Sequence, residues 1–282
     1  MATGKQAIKR RIRSVEATKK ITQAMELIAT SKLQKQKLLL EQNREYSETL
    51  NGMLSSIVAN ATLDDVFWFD KKEDTAPCTI LLTSDLGLCG GFNSNLLRLF
   101  SEERLYESKI AVIGTKGLQW LKHRSYAPSI PFVFSDEFSY NKVGEVISQL
   151  LEKYRENKIT SIRLIYTQFV NSVTFEPRIK QLLPFEVELK DQDHQRMNKD
   201  TIFEPNAQEI LNDLVPMALR SMVYRYYLES KTSEHASRRL AMENATDNAQ
   251  DIIENLTLKY NQSRQAAITQ EISEIIAGAD AL

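Results

Sequence analysis

The sequence predicts two long terminal α-helices around a central α/β domain, and two observations carry that prediction. The chain has 282 residues, and all 7 of its prolines lie between Pro77 and Pro216, so both ends lack the residue that most strongly interrupts helices. Apolar side chains recur at steps of three and four in the ends, whereas short apolar runs alternate with amphipathic stretches in the middle. We therefore expect an antiparallel two-helix coiled coil from both termini and a Rossmann-like α/β domain between them.

The N-terminal helix is expected over residues 1–60, with its apolar stripe interrupted between Val15 and Ile21. A helix of about 55 residues is roughly 80 Å long. Such a length is typical of a coiled coil or a stalk, because a domain of this size cannot bury it. The predicted stripe comprises Ile8, Ile12, Val15, Ile21, Met25, Ile28, Leu39, Tyr46, Leu50, Met53 and Ile57.

The C-terminal helix is expected over residues 207–282, and Pro216 is expected to mark where it leaves the central domain. Its Ala-rich part allows another backbone to approach closely. The predicted stripe comprises Leu219, Met222, Val223, Tyr226, Ala236, Leu240, Ala241, Ala245, Ala249, Ile252, Ile253, Leu256, Tyr260, Ile268, Ile272 and Ile275.

Charge also pairs the two ends of the chain. Residues 1–37 carry a net charge of +8 and residues 228–282 a net charge of −4, although the whole chain is close to neutral at −1. Opposite charge favours association of the two helices. The overall balance argues against a general polyanion binder.

The central domain is expected over residues 77–205, where strand and helix patterns alternate. This alternation indicates a largely parallel sheet. The predicted strands are Thr79–Ser84, Lys109–Gly114 and Ser161–Val170, with a further strand expected within Val173–Phe185; the predicted helices are Asn93–Glu103, Gly117–His123 and Val143–Asn157; residues 188–202 are expected to form a surface loop.

Several function classes are disfavoured by composition. No run of about 18 apolar residues is available to span a bilayer. Two cysteines, Cys78 and Cys89, cannot build a disulfide framework and fit a reducing compartment. The three histidines lie far apart without other ligands at metal-binding spacing. We therefore expect no metal, no cofactor and no catalytic constellation.

Two features leave alternatives open. The glycine turn Ser84–Asn93 follows a strand and opens a helix, as phosphate-binding loops do, but it lacks their glycine spacing and their lysine. A nucleotide-binding enzyme with coiled-coil arms is the alternative, and Cys89 is either its nucleophile or a buried structural residue. The basic N-terminal face could bind nucleic acid or anionic lipid, but without interleaved aromatic residues it favours a protein partner.

Three blocks of the sequence resemble the γ subunit of F-type ATP synthases. They are Ile8–Lys35, Thr83–Asn93 and Arg238–Gly278, in the order of that family and across the whole length. The last block is the most specific.

The resemblance implies a non-catalytic, central-stalk rotor subunit. Its coiled coil stands inside a ring of α and β subunits, and its α/β domain contacts the ε subunit and the membrane c-ring. Ion flow turns the c-ring and the shaft with it, which drives ATP synthesis or hydrolysis on β. The implied location is the cytoplasmic face of a bacterial membrane, with membrane contact only through partners and no nucleic acid bound. An organelle membrane is less favoured, because the basic, transit-peptide-like start continues into a much longer helix.

The resemblance also implies partner-binding residues. Met25 and Arg238 match contacts that steer rotation near an acidic lever of β, although helical spacing alone makes Met25 a core residue. The remaining matches are Arg264 and Gln265 on a β loop, with Thr269 and Glu271 close by, and Phe203 and Glu204 near the c-ring and ε. The apolar end from Ile268 onward is expected to turn within an apolar collar of the ring. One departure is Leu86, where the family usually carries arginine.

Overall fold

A computed structural model of the chain describes residues 2–60, 68–69, 73–185 and 206–280. Long helices stand at both ends of the chain, α1 at Ala2–Asn60 and α5 at Ala207–Asp280, so the predicted fold class is confirmed. The elements between them are β1 (Pro77–Leu82), α2 (Phe92–Glu102), β2 (Lys109–Ile113), α3 (Thr115–His123), α4 (Tyr140–Arg155), β3 (Ser161–Phe169) and β4 (Phe175–Leu183).

The described chain divides into two compact units, and both long helices contribute to each. The coiled-coil unit takes α1 up to Ser31 and α5 from Arg238 onward. The α/β unit takes everything from Lys32 to Ser237.

The sheet of the α/β unit has the strand order β2-β1-β3-β4. Strand β1 pairs in parallel with both β2 and β3, and β4 adds to β3 antiparallel. The strand expected within residues 173–185 is therefore present. Pro177 and Lys180 lie on β4, at the edge of the sheet, where they discourage further strand pairing.

Alternating side chains of the strands divide the core into two apolar clusters, because successive residues of a strand point to opposite faces. Ile80 and Leu82 of β1 join the cluster formed with α4, α5 and the end of α1. Leu81 points to the other face and packs with residues of α2 and α3, such as Phe100 and Leu121. Helices therefore cover both faces of the sheet, as in doubly wound folds.

The coiled-coil unit is an antiparallel helix pair. Lys19 Nζ donates to the Gln250 side-chain oxygen at 2.6 Å, and the hydroxyls of Thr22 and Thr246 are 2.7 Å apart. Earlier in α1, Lys5 Nζ lies 5.9 Å from the centre of the Tyr260 ring. Residue numbers fall along α1 as they rise along α5, which fixes the antiparallel direction predicted from the sequence.

The buried face of α1 keeps its three-and-four spacing without interruption, but it is more polar than predicted. Lys19 and Thr22 continue the stripe after Val15. Ile21 and Ile28, which the apolar pattern assigned to it, are exposed. That part of the prediction is wrong, because a residue next to the buried position lies about 100° away around the helix. Tyr46, Met53 and Ile252 were misassigned in the same way, and Ile268, Ile272 and Ile275 of the predicted C-terminal stripe are exposed too.

The place of Pro216 in α5 differs from the prediction. Asn206 caps the helix: its side chain accepts from the Glu209 amide at 2.8 Å and donates to the Glu209 carboxylate at 2.9 Å. Pro216 lies inside α5, and the helix stays in the α/β unit as far as Ser237. The prediction that Pro216 marks the exit of α5 from the central domain is therefore wrong. None of the described helices is long and apolar enough to cross a membrane.

Candidate functional site

The glycine turn between β1 and α2 is held in place by its own polar side chains. The Asp85 carboxylate accepts from the main-chain amides of Thr115 and Asp136, each at 2.9 Å. Asn93 donates to Ser84 Oγ at 2.7 Å and accepts from the Ser84 amide at 3.1 Å. The polar groups that could bind a phosphate are thus used to bind the turn to its neighbours.

The start of α3 closes tightly on the end of β1. Gly114 has a φ of +98°, and a Cβ atom there would lie 2.2 Å from the carbonyl oxygen of Thr83, so only glycine fits. The Gly117 amide donates to Thr83 Oγ1 at 2.9 Å. This packing brings the loops after β1 and β2 together at the carboxyl-end edge of the sheet.

Helix α5 lies against this carboxyl-end edge, where doubly wound sheets bind their ligands. Glu229 accepts a hydrogen bond from the Phe169 amide at 3.2 Å. Ser233 Oγ shares its hydrogen between the Thr167 carbonyl at 3.2 Å and the Glu229 carbonyl of its own helix at 3.0 Å. The Phe169 amide and the Thr167 carbonyl both lie at the end of β3, next to β1. Helix α5 therefore forms hydrogen bonds with the polar groups at this edge, where a nucleotide would otherwise bind, and this disfavours the nucleotide-binding alternative.

Cys89 is a buried part of the same contact. Ser237 Oγ donates to the Cys89 carbonyl at 2.6 Å, and Cys89 Sγ accepts from Asn93 at 3.2 Å. The thiol is almost inaccessible to solvent. These contacts favour the structural interpretation of Cys89 over that of a nucleophile.

An ion cluster adjoins this contact; Lys231 and Glu234 are buried in it, whereas Asp136 is exposed. Lys231 Nζ lies 2.7 Å from Asp136 and 2.8 Å from Glu234. Burial by itself would raise the pKa of Asp136, but the hydrogen bond and the charge of Lys231 bring it below its usual value. Burial would likewise lower the pKa of Lys231, but the two carboxylates raise it above its usual value. Asp136 and Lys231 are therefore both charged at neutral pH.

Tyr227 adds a neutral contact on the same side of α5. Its hydroxyl donates to the Ser135 carbonyl at 2.8 Å. Burial, and then the nearby charge of Asp136, raise the pKa of this phenol well above its usual value. Sequence reasoning missed all of these contacts. The available signal was the almost entirely polar run Glu229–Arg238 in the middle of a helix.

Four of the predicted partner-binding residues are exposed on α5 in the coiled-coil unit, namely Arg264, Gln265, Thr269 and Glu271. Their side chains are accessible for contact with another molecule. Their assigned roles stay predictions.

The other predicted residues differ in accessibility. Met25 is half-buried, and Arg238 is only 8% exposed, so most of the Arg238 surface is covered within the chain. Phe203 and Glu204 lie outside the described residues. Leu86, at the position that departs from the expected arginine, is 66% exposed. The roles of Met25 and Arg238 also stay predictions.

Comparison with known sequences shows the family to which the chain belongs. The family model for ATP synthase matches residues 4–282. The ATP synthase gamma chain of Symbiobacterium thermophilum is 40% identical over 288 residues, which cover 100% of this chain and 99% of the relative. The ATP synthase gamma chain of Mycoplasmopsis synoviae is 39% identical, with 97% of each chain covered.

Solved structures with the same fold come from mitochondrial ATP synthases. A chain from the Euglena gracilis enzyme matches with a TM-score of 0.69 and 17% identity, over 100% of this chain and 95% of its own length. A chain from the central stalk and c-ring of the Tetrahymena thermophila enzyme matches with a TM-score of 0.59 and 22% identity, over 80% and 99%. At these identities the likeness concerns the fold: long terminal helices and a central α/β domain.

Proposed function

Because the chain belongs to the family of ATP synthase gamma chains, the central-stalk subunit of a membrane-associated complex, we propose that it is the rotor of that complex. In this proposal the chain has no catalytic activity of its own. It couples ion-driven rotation of the membrane c-ring to the conformational cycle of the β subunits, and so to ATP synthesis or hydrolysis.

The single observation that supports this proposal best is the exposed apolar surface at the end of α5. By the antiparallel register, α5 extends beyond the start of α1 from about Ala266 onward. Ile268, Ile272 and Ile275 are exposed there. A contiguous apolar surface of this kind indicates a protein partner. The proposed partner is the apolar collar of a ring of α and β subunits.

A single shaft inside such a ring explains the coupling. One asymmetric helix pair cannot contact three identical β subunits identically, so it stabilises a different conformation in each. Rotation of the shaft then exchanges these conformations in order. The catalytic chemistry belongs to β, and the chain supplies only the direction and timing of the exchange.

The remaining assignments follow from the same proposal. The helices expected at residues 1–60 and 207–282 supply the shaft by the parts that form the coiled-coil unit, α1 up to Ser31 and α5 from Arg238. The central domain expected at residues 77–205 forms, with the remaining parts of both helices, a foot that contacts the ε subunit and the c-ring, with Phe203 and Glu204 near that contact. The complex lies on the cytoplasmic face of a bacterial membrane, which this chain contacts only through its partners. No nucleic acid takes part.

Assembly tests the proposal directly. The chain, mixed with purified α and β subunits, is expected to elute with them as one large species that hydrolyses ATP. The proposal fails if α and β assemble with full activity alone and the chain never elutes with them.

Arg264 and Gln265 provide a residue-level test. Both side chains are exposed, so Arg264→Ala with Gln265→Ala should leave the fold, and hence the far-ultraviolet circular dichroism, unchanged. We expect ATP synthesis in reconstituted membrane vesicles to fall about ten-fold, which corresponds to losing about 1.4 kcal/mol of contact with the ring.

A matched control lies on another side of the same helix. Lys259→Ala with Asn255→Ala also removes one cation and one amide from exposed positions of α5. This variant should keep wild-type synthesis. Equal losses in the two variants, or no loss in either, would contradict the assignment of Arg264 and Gln265.

A further inference from the structure

Three polar side chains of α5 face the carboxyl-end edge of the sheet, and they are spaced by four residues, slightly more than one helical turn. They are Glu229, Ser233 and Ser237, and each one bonds a main-chain group of the α/β unit. Residues four apart lie on the same side of a helix. One side of α5 is therefore attached to the sheet edge at three successive levels.

A second side of α5 is held by a different part of the chain. Tyr227 donates to the Ser135 carbonyl, and Lys231 pairs with Asp136. This second side lies more than 100° around the helix from the first, since each residue advances the helix by about 100°. Together we call Glu229, Ser233, Ser237, Tyr227 and Lys231 the polar clamp.

Contacts from two directions restrict rotation of a helix about its own axis. Side-chain atoms stand about 5 Å from that axis, so a roll of about 20° moves them by about 2 Å. The bonds of the clamp are between 2.6 and 3.2 Å long, and such a movement breaks them. Apolar contacts have no preferred direction and tolerate the same movement at much lower cost.

The preceding part of α5 is held mainly by apolar contacts, although Arg220 donates to the Tyr140 carbonyl and to Asn141, and Asn212 accepts from Trp68. Leu211, Val215, Leu219 and Val223 all lie in the apolar cluster on the face of the sheet. Directional contacts are nevertheless most closely spaced in the last turns of α5 before the α/β unit ends at Ser237, where five residues from Tyr227 onward make them. Burying polar groups at these turns stabilises the fold less than apolar packing would, but it fixes one rotational setting of the helix.

We propose that the polar clamp is a rotational lock, through which torque passes between the sheet and α5 without the helix rolling in its seat. This inference rests on the proposed rotor function, because an unloaded helix needs no such lock. The clamp residues are positioning residues: they contact neither nucleotide nor ring, and they act through the setting of α5.

The test compares synthesis of ATP under low and high load. In vesicles with the reconstituted complex, the load is raised by increasing the ratio of ATP to ADP and phosphate at a fixed proton-motive force. Ser233→Ala with Ser237→Ala removes two donors and little volume. We expect synthesis close to that of the wild type at low load and about ten-fold slower synthesis near stall. The Ser237 bond favours the seated helix by about five-fold, and the Ser233 bond, which is shared with the Glu229 carbonyl, by about two-fold.

Ser221→Ala with Thr232→Val is the matched control. Both side chains are fully buried in α5; the Thr232 hydroxyl bonds its own helix, and the Ser221 hydroxyl has no hydrogen-bond partner among the described residues. This control should follow the wild-type curve at every load. A purely structural role of the clamp would lower the yield of assembled complex and scale synthesis equally at low and high load.

The outcomes separate the two proposals. Parallel load curves for the clamp variant and the wild type overturn the lock and leave the rotor intact. A wild-type chain that neither assembles nor couples overturns the rotor, and the lock falls with it. If the double variant does not fold, Glu229→Gln keeps the side-chain shape, and the lock then requires a smaller, still load-dependent loss in this variant.

Discussion

Helix α5 is one continuous helix with two different environments, and the contrast separates what holds the fold from what meets partners. Along Leu228–Ser237, in the α/β unit, every residue is buried, although most are polar. Along Glu254–Ser273, in the coiled-coil unit, only every third or fourth residue is even partly covered. The first stretch is a core helix, and the second is one of the two helices of a coiled coil.

Sequence polarity and burial are therefore separate properties in this helix. The buried stretch is polar and satisfied by hydrogen bonds and ion pairs, whereas the exposed stretch carries isoleucines such as Ile268 and Ile272 on its surface. Buried polar groups fix geometry, and exposed apolar groups offer contact area to another protein. Three changes test how firmly this contrast holds.

The largest effect is expected from the buried ion cluster. Lys231→Met keeps the aliphatic stem but removes the charge that faces Glu234, whose side chain is only 4% exposed. Breaking such a pair while one charge stays buried costs about 3–5 kcal/mol of unfolding free energy. Urea unfolding followed by the fluorescence of Trp68 and Trp120, both in the α/β unit, measures this loss.

The matched control is an exposed pair with the same spacing. Lys142 and Glu145 are also three residues apart on a helix, but their side chains are 43% and 59% exposed. Lys142→Met should cost less than about 1 kcal/mol. Similar losses in the two variants would show that burial does not set the strength of the Lys231 cluster.

An intermediate effect is expected from alkaline pH. Burial raises the pKa of Cys78 to about 12 and also raises the pKa values of Tyr166 and Tyr227. Above the ordinary pKa of each group, the unfolded chain loses a proton that the folded chain keeps, so stability falls as pH rises. Lys231, whose pKa is also raised, adds to this loss above about pH 10.5.

Each of these groups contributes up to about 1.4 kcal/mol per pH unit to the loss. We therefore expect the urea midpoint of the tryptophan transition to fall from about pH 9 upward. Tyr166→Phe keeps the ring and removes one titrating group, so the slope above pH 10 should become shallower. An unchanged slope in this variant would exclude Tyr166 as a source of alkaline sensitivity.

The sequence was sufficient for the architecture, because the architecture depends on patterns that survive without contacts. Proline placement and three-and-four spacing predicted both long helices, and alternation of short apolar runs predicted the parallel strands β1, β2 and β3. Ala249 and Ile253, assigned to the buried stripe, do lie on it.

The polar contacts were not predictable in the same way. A run such as Glu229–Arg238 has the composition of a solvated surface. Hydropathy does not show whether such polar side chains form hydrogen bonds with water or with other groups of the same protein. The stripe of α1 failed for a related reason. Its buried positions include Lys19 and Thr22, so following the apolar residues led to the exposed Ile21 instead.

The smallest effect is expected in the polar seam of the coiled-coil unit, at the facing hydroxyls of Thr22 and Thr246. Thr22→Val leaves the Thr246 hydroxyl buried without that partner, at a cost of about 1 kcal/mol. Thr22→Val with Thr246→Val replaces both hydroxyls by methyl groups and should recover the loss, because no polar group is then stranded. Hydrogen exchange of the amides around Thr246 measures local opening of the helix pair.

The control is Thr257→Val, at an exposed position whose hydroxyl bonds its own helix, and it should not change the hydrogen exchange measurably. If the single and the double variant are equally destabilised, the coiled-coil unit depends on this hydroxyl contact as strongly as the α/β unit depends on its buried polar bonds. The two environments of α5 would then differ only in how much of the helix is exposed to solvent.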